Sequence, residues 1–299
     1  MLYTKTSKGT RSEKELAKEF SNFKTLNGIE VHYEFAKGKS GYLVVLLHGF
    51  GANTFSLRHL LKQFSHFGDV IAYDRPCFGL TVRPKEWAGE NPYGFQAQLK
   101  LLDAIVQEFG KSRKIILLGH SAGAAIAAEW ALFNADKVSA LILEEPAILS
   151  KPLVPHALGK LFRSRLFDRL GVRMVAGFQK TGLAILHRSW HDKTGITQEA
   201  LDNYQLPLQV KGWEAAFWEF TRNGVDSSIQ DNLMDLHVKT LVTVADHDEI
   251  IYPHYSIRVA EHVPNAKLVE FKDCGHIPHE EKPEEFMAAV ADFLASDKS

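Results

Sequence analysis

A serine with glycines two positions to either side, Gly119-His120-Ser121-Ala122-Gly123, separates an apolar run, Lys114-Ile115-Ile116-Leu117-Leu118, from an alanine-rich stretch beginning at Ala124. At a sharp strand-to-helix turn a serine is held in strained backbone geometry that lifts its hydroxyl clear of its neighbours, and small flanking residues let the chain fold that tightly. Such exposure suits a nucleophile. The turn also sets the Ala122 amide at the start of a helix, where backbone donors and the helix dipole favour an oxyanion formed near Ser121.

Three other segments have the composition this serine needs. His48-Gly49-Phe50-Gly51 follows an apolar run, and its glycines permit a backbone amide to turn toward a ligand, so the Phe50 amide is the expected second oxyanion donor. The run 242–249 ends in Asp246-His247-Asp248-Glu249, and a carboxylate at the carboxyl edge of a parallel sheet can hold a histidine in its working tautomer. Asp273-Cys274-Gly275-His276 follows the last apolar run and offers His276 as general base and then general acid.

The elements that must position these groups show in the hydrophobic pattern. Strand-like runs fall at 29–35, 43–47, 70–73, 115–118, 138–143, 241–245 and 267–271, with helical periodicity between most of them, notably at 93–110 and near the C-terminus. This alternation predicts an α/β fold with a mostly parallel, doubly wound sheet covered by helices on both faces. Between 147 and 236 the rhythm stops. Residues 150–235 are expected to form an inserted helical cap on a core made of 1–149 and 236–299. Within the cap Leu158, Leu161, Phe162, Leu166 and Leu170 form an apolar stripe beside Lys160, Arg163, Arg165, Arg169 and Arg173, which predicts a cap helix with a solvated charged face. Trp213, Phe217, Trp218 and Phe220 form an aromatic cluster that either lines an acyl pocket or packs cap onto core. The first twenty or so residues read as a polar lead-in or short surface helix.

Composition narrows the class. The hydrophobic fraction is 45% and the charged fraction 24%, ordinary for a globular chain, and 35 basic against 36 acidic residues leave no field for nucleic acid or an anionic membrane. No apolar run approaches a membrane span or a signal peptide, so stable membrane insertion is not expected and a cytoplasmic location is. The two cysteines, Cys77 and Cys274, are too few for a disulfide framework and are expected as separate reduced thiols.

Taken together, the chain resembles the α/β-hydrolase superfamily over 25–149 and 237–296. The resemblance rests on the Ser121 turn, the His48-Gly49 turn, the terminal Gly275-His276 pair, and Asp74-Arg75-Pro76-Cys77-Phe78-Gly79-Leu80-Thr81. That last segment is similar to the family's D-x-P-G-x-G-x-S loop, with Cys77 for a glycine. It implies a catalytic triad of Ser121, Asp248 and His276, in the family's order of nucleophile, acid and histidine, with Phe50 and Ala122 as the oxyanion hole. Ala245-Asp246-His247-Asp248 fits the family's G-x-x-D with alanine for glycine, favouring Asp248 over Asp246, while Glu144 and Glu145 stand where some relatives place the acid. His48, Gly49, His120, Trp213 and Phe217 are expected to line the substrate site. Serine as nucleophile suits acyl carbon rather than the epoxides and haloalkanes attacked by aspartate relatives. The implied activity is hydrolysis of small or medium carboxylic esters, without metal or organic cofactor. Carbon–carbon hydrolases, lactonases, aminopeptidases and ligand receptors of the same fold are the alternatives. Neither oligomeric state nor substrate identity is legible in the sequence.

Overall fold

Uninterrupted Val, Ile and Leu runs can be buried only if both faces of a strand are covered. In the computed structural model, which describes residues 9–39, 41–150, 167–223 and 227–296, this is what happens. After a short helix, α1 (Glu13–Leu16), come β1 (Asn22–Leu26), β2 (Ile29–Ala36), β3 (Tyr42–Leu47), α2 (Arg58–Phe64), β4 (Gly68–Tyr73), α3 (Phe95–Ile105), β5 (Ile115–His120), α4 (Ala122–Phe133) and β6 (Val138–Glu144). Then follow helices α5 (Asp168–Ala176), α6 (Phe178–Ser189), α7 (Gln198–Gln205) and α8 (Trp213–Asn223). The chain ends with β7 (Thr240–Ala245), α9 (Pro253–His262), β8 (Lys267–Phe271), α10 (Pro278–Glu281) and α11 (Pro283–Ala295).

The eight strands form one sheet in the order β1-β2-β4-β3-β5-β6-β7-β8; β2 is antiparallel to both β1 and β4, and every other pairing is parallel. Alternate side chains of β3 enter opposite cores. Leu43, Val45 and Leu47 pack with α3, α4 and α9 on one face of the sheet, while Val44 and Leu46 join Leu57, Leu60, Phe64, Phe286, Val290 and Phe293 in one cluster on the other. Each such buried side chain stabilises the fold by about 1.5–3 kcal/mol. The chain leaves β3 in one direction toward β4 and returns to add β5 on its other side, so the loops after β3 and β5 border a crevice at the sheet's carboxyl edge.

Each of the seven strand-like runs becomes a strand. β1 is an additional one, polar and half exposed, so it lacks the apolar signature. It pairs with β2 through Asn27-Gly28, both at positive φ (49° and 77°), the conformation a two-residue hairpin turn requires. Residues 167–223 carry helices and contribute no strand to the sheet. Of the basic apolar stripe, 158–166 lies outside the described residues, and Leu170 is exposed rather than packed. No described helix is long and apolar enough to cross a membrane. Both cysteines are buried and free. Cys77 has φ +84°, a backbone conformation that costs any residue but glycine, which is why similar loops carry glycine there.

Candidate active site

Ser121 is the residue at which β5 ends and α4 begins, with φ 52° and ψ −116°, so the expected backbone strain is present, but the residue is 6% exposed and so is buried rather than lifted clear of its neighbours. Its amide donates to the Glu144 carbonyl at 2.8 Å and its carbonyl accepts from the Ala124 and Ala147 amides, both at 3.1 Å, which fixes the turn against β6. Glycine is obligatory at 123: a β-carbon there would lie 2.6 Å from the Leu47 carbonyl oxygen and 2.7 Å from that of His48. The elbow is thereby pressed onto the loop after β3. A β-carbon on Gly49 would lie 3.1 Å from the β-carbon of Ser121, so that loop borders Ser121 directly.

The imidazole of His276 donates through Nδ1 to Asp248 Oδ2 at 2.7 Å, and Asp248 Oδ1 accepts from the Ile250 and Ile251 amides at 2.7 and 2.9 Å. Both carboxylate oxygens are thus held, the tautomer of His276 is fixed, and its Nε2 edge is left for proton transfer. His276 is placed by its backbone as well: its amide donates to the Ser189 carbonyl at 2.6 Å, and its carbonyl accepts from His120 Nε2 at 2.9 Å. The rings of His120 and His276 are 4.8 Å apart between centroids, which brings His276 beside the residue that precedes Ser121.

The other acids considered from the sequence are engaged elsewhere. Asp246 accepts from the Cys274 amide at 3.3 Å. Glu145 accepts from the Thr243 hydroxyl and the Ala245 amide, both at 3.1 Å; burial, then repulsion from Asp248 and Glu144, pushes its carboxyl well above the usual range. Glu144 pairs with His279 Nδ1 at 2.7 Å and also accepts from the His279 amide at 3.0 Å. Burial opposes protonation of His279, but the adjacent Glu144 carboxylate overrides it and raises the imidazole above its ordinary value. His279 lies 5.0 Å from the ring of His120, which burial and the neighbouring imidazoles hold well below its ordinary value and therefore neutral.

On the loop after β3, the Gly49 carbonyl accepts from His48 Nδ1 at 2.8 Å and from Arg75 Nη2 at 3.0 Å. Across a trans peptide the Phe50 N–H points away from that carbonyl, so these two donors set its direction. Arg75 is fully buried, donates to Gln98 Oε1 at 2.9 Å and stands over the Phe78 ring at 4.9 Å. Burial lowers its guanidinium to about 10, leaving it charged at neutral pH. Sequence reasoning passed over Arg75, and the only signal for it is its place next to Asp74 in the glycine-rich loop.

The residues expected to line the substrate site fall in different places. His48 is fully buried, with its Nε2 accepting from the Arg75 amide at 3.1 Å; burial lowers it to about 3, and as a neutral imidazole it braces the Gly49 carbonyl. Trp213 is 2% exposed and packs into the cluster of Cys77, Phe78 and Tyr93. His120 is 4% exposed and supports the His276 carbonyl. Phe217 stays beside the site: its ring is 5.3 Å from that of Phe50, and Phe78 and Phe220 complete an aromatic wall, with Phe220 6.0 Å from Phe50.

A strained serine at a strand–helix elbow, an acid–histidine pair after the next strands and this sheet order define an α/β-hydrolase. The chain belongs to the alpha/beta hydrolase family, which matches it over residues 44–289. It is similar to the uncharacterized hydrolase YugF of Bacillus subtilis, 26% identical over 279 residues that span 90% of this chain and 96% of that protein. It is likewise similar to the proline iminopeptidase PfmaB of Pestalotiopsis fici, 26% identical over 285 residues, 87% of this chain and 94% of that one. Among solved structures, a thermophilic esterase from Thermogutta terrifontis superposes with a TM-score of 0.72 at 23% identity, covering 92% of this chain and 98% of that one.

Proposed function

We propose that this hydrolase cleaves carboxylic esters of small or medium acyl groups through an acyl-enzyme on Ser121. The observation that carries the reading is the backbone of Ser121, φ 52° and ψ −116°, following His120, whose ring lies 4.8 Å from that of the Asp248-bound His276. In the proposed cycle His276 Nε2 takes the Ser121 proton as Oγ attacks the ester carbonyl, and Asp248 stabilises the imidazolium that forms. The amides of Phe50 and Ala122 receive the oxyanion. His276 then protonates the departing alcohol, and a water it deprotonates hydrolyses the acyl-serine. The helices of 167–223, within the proposed insertion 150–235, act as a cap, and the Phe50, Phe78, Phe217 and Phe220 wall favours an apolar acyl chain.

The test is turnover of p-nitrophenyl esters of increasing acyl length, run beside lactones, vinylogous diketones and proline amides. An organophosphate is expected to label Ser121, and Ser121→Ala and His276→Ala are expected to abolish turnover. Label on another serine, or preference for one of the other substrate classes, would overturn the assignment.

A further inference from the structure

His191, His247 and Asp273 come from three separate segments: the turn after α6, the loop after β7 and the loop after β8. All three are exposed, and one potential ligand atom from each lies within 4.8 Å of the others. The imidazoles of His191 and His247 are stacked, with centroids 4.0 Å apart and planes 20° from parallel. Nothing in the proposed ester chemistry uses them.

These segments are fastened to one another by bonds that do not involve the three side chains. The Glu281 carboxylate accepts from the His191 amide at 3.1 Å, the Asp192 amide at 2.7 Å and the Gly275 amide at 2.8 Å. The His247 amide donates to the Cys274 carbonyl at 3.0 Å, and the Asp246 amide donates to the Phe271 carbonyl at 3.1 Å. The three side chains are therefore delivered to one place by a scaffold that is already closed, which lowers the cost of ordering them around a ligand.

We propose that this cluster is a binding site for a divalent transition-metal ion of the zinc type. Two imidazoles and one carboxylate suit such an ion and do not suit Mg²⁺, which takes oxygen ligands. Bonds of about 2.0–2.1 Å in a tetrahedron separate ligand atoms by about 3.4 Å, so the longest edge must close by at most about 1.4 Å, and the stacked imidazoles must swing apart so that each turns an in-plane nitrogen lone pair toward the ion. Rotation of the exposed side chains supplies both movements. Asp246 Oδ1, 3.9 Å from His247 Nε2, adds negative charge beside the site. A bound ion would join the segment after α6 to the loops that carry Asp248 and His276, without touching either residue. This inference is independent of the ester reading.

Isothermal titration of ZnCl₂ into the untagged full-length protein, with MgCl₂ as control, tests it. One saturable Zn²⁺ site and a raised Tm are expected, with no response to Mg²⁺. His191→Ala, His247→Ala and Asp273→Asn, all exposed and outside the proposed catalytic set, are each expected to weaken binding by about tenfold or more, since even outer-shell partners of metal sites cost that much. Absence of saturable Zn²⁺ binding, or binding unchanged in both histidine variants, would overturn the proposal.

Discussion

Replacing Arg75 with methionine removes one of two donors that aim the Phe50 amide, and the size of the effect can be worked from the geometry. The Gly49 carbonyl keeps His48 Nδ1 at 2.8 Å and loses the guanidinium contact at 3.0 Å. A hydrogen bond from a charged donor stabilises its acceptor by about 1.5–3 kcal/mol, and that much less preference for one peptide orientation amounts to about 10–150-fold in its population. The ceiling is loss of an oxyanion donor outright, about 10²–10³-fold in kcat. Because His48 remains, Arg75→Met is expected to lower kcat for a p-nitrophenyl ester by about 10–100-fold, with KM changed by less than about threefold. Steady-state kinetics beside a thermal melt separates this from unfolding, since the variant also leaves Gln98 Oε1 without its donor. A folded variant with kcat within twofold of the parent, or with its loss confined to KM, would refute the claim that Arg75 orients the amide.

Asp248→Asn should drop kcat by about 10⁴-fold by releasing the wrong tautomer of His276, whereas Glu145→Gln should keep activity; the opposite ranking would make Glu145 the acid. The same Glu145→Gln variant carries a pH signature. A carboxyl raised above 4.5 in the native state keeps its proton after the unfolded chain has lost it, so its contribution to stability falls as pH climbs past 4.5. The parent's Tm should therefore decline more steeply than the variant's as pH rises above about 4.5. Gly275→Ala would put a β-carbon 2.4 Å from the Ser189 carbonyl oxygen and 2.6 Å from the His191 amide nitrogen, both backbone atoms. A destabilisation of about 3 kcal/mol or more, read by denaturant titration, is expected along with lost turnover.

What the sequence revealed divides by the range of the interaction. The buried strands and the elbow were legible because each is written in consecutive residues: apolar runs in β3 to β7, small residues around Ser121. β1 escaped because it is an edge strand whose polarity masks it, although Asn27-Gly28 was the local sign of its hairpin. Asp248 could be preferred through the resemblance to the family's G-x-x-D pattern, but only the fold brings its carboxylate to His276 and takes Glu144 away to His279. The contacts of Arg75 with the Gly49 carbonyl and with His48 Nε2 span 26 and 27 positions, which no local pattern encodes.

The hydrogen bond from the His276 amide to the Ser189 carbonyl makes the end of α6 part of what seats His276. Gly275 lies against the same stretch of chain, and the Glu281 carboxylate ties the two together through the His191, Asp192 and Gly275 amides. Chimeras that exchange the whole of the proposed insertion for that of a relative would import new backbone at this seam and misplace the imidazole before any new pocket could be tested. Recombination breakpoints aimed at altered selectivity should leave residues 189–192 native and vary the helices on either side of them.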